Sequence, residues 1–134
     1  VAYLLFFIYH VKGQEPQRKA TMKVIIAGGR TFYDMEKMNE GMSNYPNDVT
    51  EVVCGMARGA DSCGKYWAES KDIPVAKFPA QWDKYGKPAG YMRNLQMAEY
   101  ADEAIVFWDG KSRGSIHMIN TMKNIKKPVV VIKY

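Results

Sequence analysis

Five arginines occur in this sequence, and four of them, Arg30, Arg58, Arg93 and Arg113, fall in or just after loops that follow apolar, strand-like runs. The fourteen lysines are scattered over helices, loops and ends. The contrast has chemical meaning. A planar guanidinium grips phosphate or carboxylate through two parallel N–H bonds, whereas an ammonium acts as a point charge. Chance placement of surface arginines is the competing explanation. Glycines flank the same loops: Gly28 and Gly29, Gly55 and Gly59, Gly110 and Gly114. Glycine lets backbone approach a ligand closely. A helix starting just beyond such a loop adds free N–H groups and a positive dipole end, which together suit an anion. Any tight strand-to-helix turn uses glycine, so a single loop would carry little weight. Three glycine–arginine loops in one chain point to phosphate.

Other side chains in these loops have two readings each. Asp61 is either a cap near the start of its helix or a contact for a ligand ribose. Ser112 and Ser115 either cap the last helix or add hydroxyl donors to a phosphate. Trp82, Tyr85, Tyr91 and Trp108 have faces on which a base can stack, although packing or a subunit contact is the better explanation for any single one of them. His117 falls inside a helix with neither a nucleophile nor a carboxylate beside it in the sequence. The chain holds no catalytic triad, paired-carboxylate site or metal-ligand cluster, and neither a Walker A nor a Gly-x-Gly-x-x-Gly pattern. No cofactor and no metal are therefore expected. Two cysteines, Cys54 and Cys63, make neither a disulfide framework nor a zinc site at this spacing, and Cys54 ends an apolar run where it serves as a small apolar residue.

The elements that must position these residues alternate strictly from Met22 onward. Apolar strands are expected at Lys23 to Ala27, Glu51 to Cys54, Pro74 to Phe78, Glu103 to Trp108 and Pro128 to Lys133. Helices are expected at about Asp34 to Asn44, Ala60 to Ser70, Ala89 to Tyr100, and from the Asp109–Ser115 loop to about Ile125. Met35, Met38, Met42 and Tyr45 recur at helical spacing, as do Ala60, Cys63 and Trp67. The longest loop, Pro79 to about Pro88, is rich in aromatics and lysine. Continuous apolar strands alternating with helices mean a parallel sheet covered on both faces. Right-handed crossovers with one reversal give a Rossmann-like α/β three-layer sandwich of five parallel strands in the order 3-2-1-4-5. In that order the first and fourth strands are neighbours, and the crevice at their carboxyl ends receives the loops containing Gly28-Gly29-Arg30 and Asp109 to Ser115, with Gly55 to Asp61 beside them.

Residues 1–21 differ from the rest. Val1 to Val11 is almost wholly apolar and Lys12 to Thr21 is polar. Eleven residues are too few to cross a bilayer as a helix. A signal peptide would need a basic stretch before the apolar run and a small-residue cleavage site after it. The expectation is an extension outside the core of a single domain spanning 22–134, with a short extra strand or anchor as the alternative. The chain of 134 residues is 47% hydrophobic and 25% charged, ordinary for one domain able to bury a core unaided. Its net charge of +5 falls to +3 without residues 1–21, which tilts towards anionic partners but is too small to diagnose nucleic acid. A cytoplasmic protein with reduced thiols, no membrane partner and an open oligomeric state is the expectation.

Gly28-Gly29-Arg30, Gly55-Met56-Ala57-Arg58-Gly59-Ala60-Asp61, Arg93-Asn94 and Asp109-Gly110-Lys111-Ser112-Arg113-Gly114-Ser115 together resemble the SLOG superfamily. That group includes the DNA-processing protein A of bacterial transformation and the Lonely Guy cytokinin-activating enzymes. The similarity is greatest to its small stand-alone YspA-like branch, and covers Met22 to Tyr134. The resemblance implies a Rossmann-like sensor or processor of nucleotides or nucleotide-derived ligands, at home in phage or bacteria, with the residues of these motifs, Asn94 and Asp109 included, at the ligand site. Three functions follow: binding or sensing a nucleotide-derived ligand, cleaving a base–ribose bond, or holding single-stranded DNA. The enzyme alternative meets a difficulty. The Lonely Guy motif is similar to Pro-Gly-Gly-x-Gly-Thr-x-x-Glu, and aligning its Gly-Thr on Gly114-Ser115 puts Met118 where the catalytic glutamate belongs. Methionine is neither acid nor base. The DNA alternative needs an extended basic groove. Binding or sensing leads.

Overall fold

A computed structural model describes residues 21–134 and the backbone of residues 6–9. Arg18 and most of the polar stretch preceding Met22 lie outside the described residues. Six strands form one sheet: β1 (Phe6–Tyr9), β2 (Lys23–Gly28), β3 (Glu51–Cys54), β4 (Val75–Lys77), β5 (Glu103–Trp108) and β6 (Val129–Lys133). The helices are α1 (Met35–Asn44), α2 (Ala60–Ser70), α3 (Trp82–Tyr85), α4 (Ala89–Tyr100) and α5 (Arg113–Asn124). The sheet order is β1-β6-β5-β2-β3-β4. The five strands from Met22 onward are parallel and in the expected 3-2-1-4-5 order. To them the fold adds β1, which pairs antiparallel with β6 from Phe6↔Ile132 to Tyr9↔Val129.

The central strand shows why the run Lys23–Gly28 is continuously apolar. Val24, Ile25 and Ile26 are each fully buried, because alternate residues enter different cores. Val24 and Ile26 pack with Met38, Met42, Cys63 and Trp67 of α1 and α2 on one face. Ile25 and Ala27 pack with Met97, Met118, Ile119 and Met122 of α4 and α5 on the other. The result is the three-layer sandwich.

Helix ends follow local chemistry. Asp34 caps α1 by accepting from the Lys37 N–H at 3.0 Å. The carbonyls at the end of α4 are gathered by the Lys127 ammonium, which donates to Ala98 O, Glu99 O and Ala101 O at 2.7–2.9 Å. The loop after β4 contains the single turn α3, absent from the sequence expectation because four residues are too few to show helical periodicity. The chain proceeds outward from β2 through β3 to β4, then returns to the other side of β2 as β5. The switch opens a crevice at the carboxyl ends of β2 and β5.

Candidate functional site

The loops after β2 and β3 are built against each other. Gly29 O accepts from the Phe32 N–H at 3.2 Å and from the Ala60 N–H at 3.1 Å, so the first turn of α2 is tied to the loop after β2. Gly59 precedes that helix with φ +78, and a Cβ there would lie 2.3 Å from Gly29 O and 2.6 Å from Arg30 O. Only glycine accepts both the left-handed backbone and the contact. Gly28 pairs with Phe107 across β2 and β5, and a Cβ on Gly29 would meet the Tyr134 hydroxyl. The helix amides in these loops are thus partly engaged by the protein, as the end of a helix requires. At α5, Ser112 is the cap: its Oγ accepts from the Ser115 N–H at 3.3 Å and lies 3.0 Å from Ser115 Oγ. Asp109 shapes the same loop by accepting from the Lys111 and Ser112 N–H groups at 2.8 and 2.9 Å, bonds that hold its carboxyl below the usual range.

A polar cluster braces the floor of the crevice. Met56 turns the chain in the left-handed region at φ 63, after which the Ala57 N–H donates to Asp61 Oδ2 at 3.0 Å. Asp61 closes its own loop in this way, while Gly59 takes the N-cap position of α2. Arg93 donates from Nη1 to Gly55 O and from Nε to Asn94 Oδ1 at 3.0 Å. A Cβ on Gly55 would fall 2.5 Å from Arg93 Nη1 and 2.9 Å from Asp61 Oδ2, so this glycine leaves room for cation and carboxylate together. Burial pushes the Asp61 carboxyl up to about 6, against the Ala57 N–H and the charges of Arg93 and Arg30. Burial also lowers the Arg93 pKa, and the guanidinium stays charged.

Asn94 joins α4 to α5. Because its Oδ1 accepts from Arg93, its Nδ2 is the donor, reaching Gly114 O at 3.3 Å and His117 Nδ1 at 3.2 Å. Nδ1 of His117 must then accept, which places the ring proton on Nε2 of a neutral imidazole. Burial lowers the pKa of His117 in the same sense, and Tyr91 stacks against the ring at 4.4 Å between centroids.

Above this cluster lies a cleft of about 550 Å³ lined by Arg30, Arg58, Arg93, Trp82, Pro79 and Ala80 together with residues Gly55 to Ala57. A smaller recess of about 270 Å³ shares Arg30, Ala57 and Arg93 with it, and continues to Gly28, Asp61, Asn94, Ser112, Gly114, Ser115 and Met118. No salt bridge to Arg30, Arg58 or Arg113 forms among the described residues. The crevice therefore gathers Arg30, Arg58 and Arg93, but Arg113 is exposed at the first turn of α5 and lines neither the cleft nor the recess. Gly110, at φ +86, lies beside Lys133 and likewise lines neither. Gly29 and Gly59 support the crevice from behind.

Of the aromatics, only Trp82 lines the cleft. Trp108 is used locally, its Nε1–H donating to Ser112 O at 3.2 Å. Pro79 and Ala80 were not expected at the site. Their signal was positional, since the loop after β4 ends at the same carboxyl edge as the others. Among the described residues no group of three or more potential metal ligands occurs, and no helix is long and apolar enough to cross a membrane.

The YspA, cpYpsA-related SLOG family (YAcAr) matches residues 22–85, which carry the first two glycine–arginine loops. The chain is similar to the Gene 61 protein of Mycobacterium phage D29, at 30% identity over 118 residues, covering 81% of this chain and 94% of that protein. No solved structure matches. With its crevice loops and a relative matched over nearly its whole length, the chain belongs to the SLOG superfamily, in the family related to YspA and cpYpsA.

Proposed function

We propose that the chain binds a phosphate-bearing nucleotide or nucleotide-derived ligand in the cleft at the carboxyl edge of the sheet. One observation carries this reading: three guanidiniums line the cleft and no carboxylate does. An anion there gains charge-assisted hydrogen bonds, roughly twice as strong as neutral ones, and the volume lies within the usual range for small-molecule sites. Membership of the SLOG superfamily supports a nucleotide-related ligand. In this reading the protein works in the cytoplasm as a sensor or binder.

The test is a thermal-shift screen against mononucleotides, dinucleotides, cyclic nucleotides and ADP-ribose-type compounds, followed by calorimetry on Arg30→Ala and Arg58→Ala. A ligand that binds only the folded state raises the melting temperature. Each substitution is expected to weaken binding by about 1.5–3 kcal/mol, the scale for hydrogen bonds to charged groups, with little change in melting temperature because both side chains are exposed. Arg113→Ala is expected to cost far less. Parent-like binding by both cleft variants would sink the reading.

Hydrolysis of the ligand is a second reading with one observation in its favour. Asp61 lies in the recess beside Arg93, 5% exposed, with its carboxyl pushed up to about 6, which suits proton transfer near neutrality. Against it, Met118, which the motif alignment sets against the Lonely Guy glutamate, is buried in the wall of the recess and is neither acid nor base.

A further inference from the structure

Trp82 is 47% exposed and, among the exposed aromatic side chains, is the one that lines the cleft. It is nonetheless held in place. It opens the one-turn helix α3, and its six-membered ring meets α4 at Gly90, where a Cβ would lie 3.1 Å from the indole. The Arg30 guanidinium carbon lies 6.0 Å from the ring, the outer limit of a cation–π contact. Indole and guanidinium thus share one cleft without closing on each other, and the cleft continues over Pro79 and Ala80 towards Arg58 and Arg93. An aromatic wall beside unpaired guanidiniums matches a ligand that is flat and apolar at one end and anionic at the other.

We propose that Trp82 is the base platform of the cleft: a nucleobase stacks on the indole, taking the place of the Arg30 contact and freeing that guanidinium for the ligand phosphate. This rests on the reading of the cleft as a nucleotide site. The exchange is favourable because a stacked base is a stronger partner for an indole than an exposed cation at the limit of its range. The guanidinium meanwhile gains a charge-assisted bond. Every base has a π-face, so the platform selects for a base over its absence, and only weakly among bases.

The test compares adenosine 5′-monophosphate, uridine 5′-monophosphate and ribose 5-phosphate by calorimetry on the full chain, with Trp82→Ala and Trp82→Phe beside the parent. Both nucleotides are expected to bind the parent roughly 5- to 150-fold more tightly than the sugar phosphate. Trp82→Ala should remove most of that advantage while leaving ribose 5-phosphate within about two-fold, and Trp82→Phe should retain much of it. Nucleotide binding should also quench the indole emission of the parent and not that of Trp82→Phe, since of the other two tryptophans Trp67 is buried in the core and Trp108 lines neither the cleft nor the recess. The quenching keeps the proposal testable if Trp82→Ala fails to fold. Equal affinities for nucleotide and sugar phosphate in the parent, or an advantage that survives in Trp82→Ala, would overturn the platform and leave the anion site standing. Failure of all three compounds to bind would overturn both.

Discussion

Asp61 sits beside two guanidiniums, and its carboxyl is still pushed up to about 6. Burial outweighs the neighbouring charges. The linkage follows in sign: with a folded pKa above the ordinary 3.8, the folded state holds this proton more tightly than the unfolded one. The contribution to stability is full below about pH 4, falls as pH rises towards 6 and is lost above it, with a slope of at most about 1.4 kcal/mol per pH unit. Asp61→Asn removes the ionisation and keeps an oxygen for the Ala57 N–H. Urea melts should show the variant gaining on the parent as pH rises from 4 to 7, and exceeding it at pH 8. A variant destabilised equally at every pH would mean that the carboxylate matters chiefly as partner to Arg93.

At the level of elements, two glycines of similar appearance in the sequence have opposite environments. Gly59 is wedged against Gly29 O and Arg30 O at φ +78, whereas a Cβ on Gly114 meets nothing within 4 Å. Gly59→Ala should separate α2 from the loop after β2, lowering stability by at least about 1–3 kcal/mol, the range for a strained backbone residue. Gly114→Ala lies within α5 and should be neutral or stabilising by at most about 1 kcal/mol, since alanine loses less conformational freedom in a helix. Thermal melts of the two variants check this contrast. A marked loss in Gly114→Ala would show that the α5 loop is packed more tightly than its open surroundings indicate.

The molecule as a whole is a parallel sheet with an antiparallel strand added at one edge. β1 covers the outer edge of β6, while all residues of the cleft follow Met22. We propose that a chain starting at Met22 still unfolds cooperatively and binds nucleotide. Its newly exposed β6 edge should lower its stability and favour self-association at high concentration, as uncovered edges do. Denaturant melts, sedimentation velocity and the nucleotide titration, run on both lengths, check each part. A shortened chain that is insoluble or melts without cooperativity would make β1 part of the core.

Local pattern alone determined most of the fold. Glu103–Trp108 and Ala89–Tyr100 are legible to the residue because a continuous apolar run and a helical stretch opening just after Pro88 are each readable within one element, and the alternation of such elements dictates a parallel, doubly covered sheet. The glycine–arginine loops after β2 and β3 are legible for the same reason, since strand ends place them on one edge. Tertiary structure decided what each loop residue does there. Arg93 is separated by 38 residues from the carbonyl of Gly55 that holds it, Asn94 binds both the α5 backbone and His117, and Arg113 is exposed and outside the lining of a cleft that Trp82 enters. None of these pairings leaves a periodic trace, because contacts between distant segments depend on how helices pack over the sheet and not on spacing along the chain.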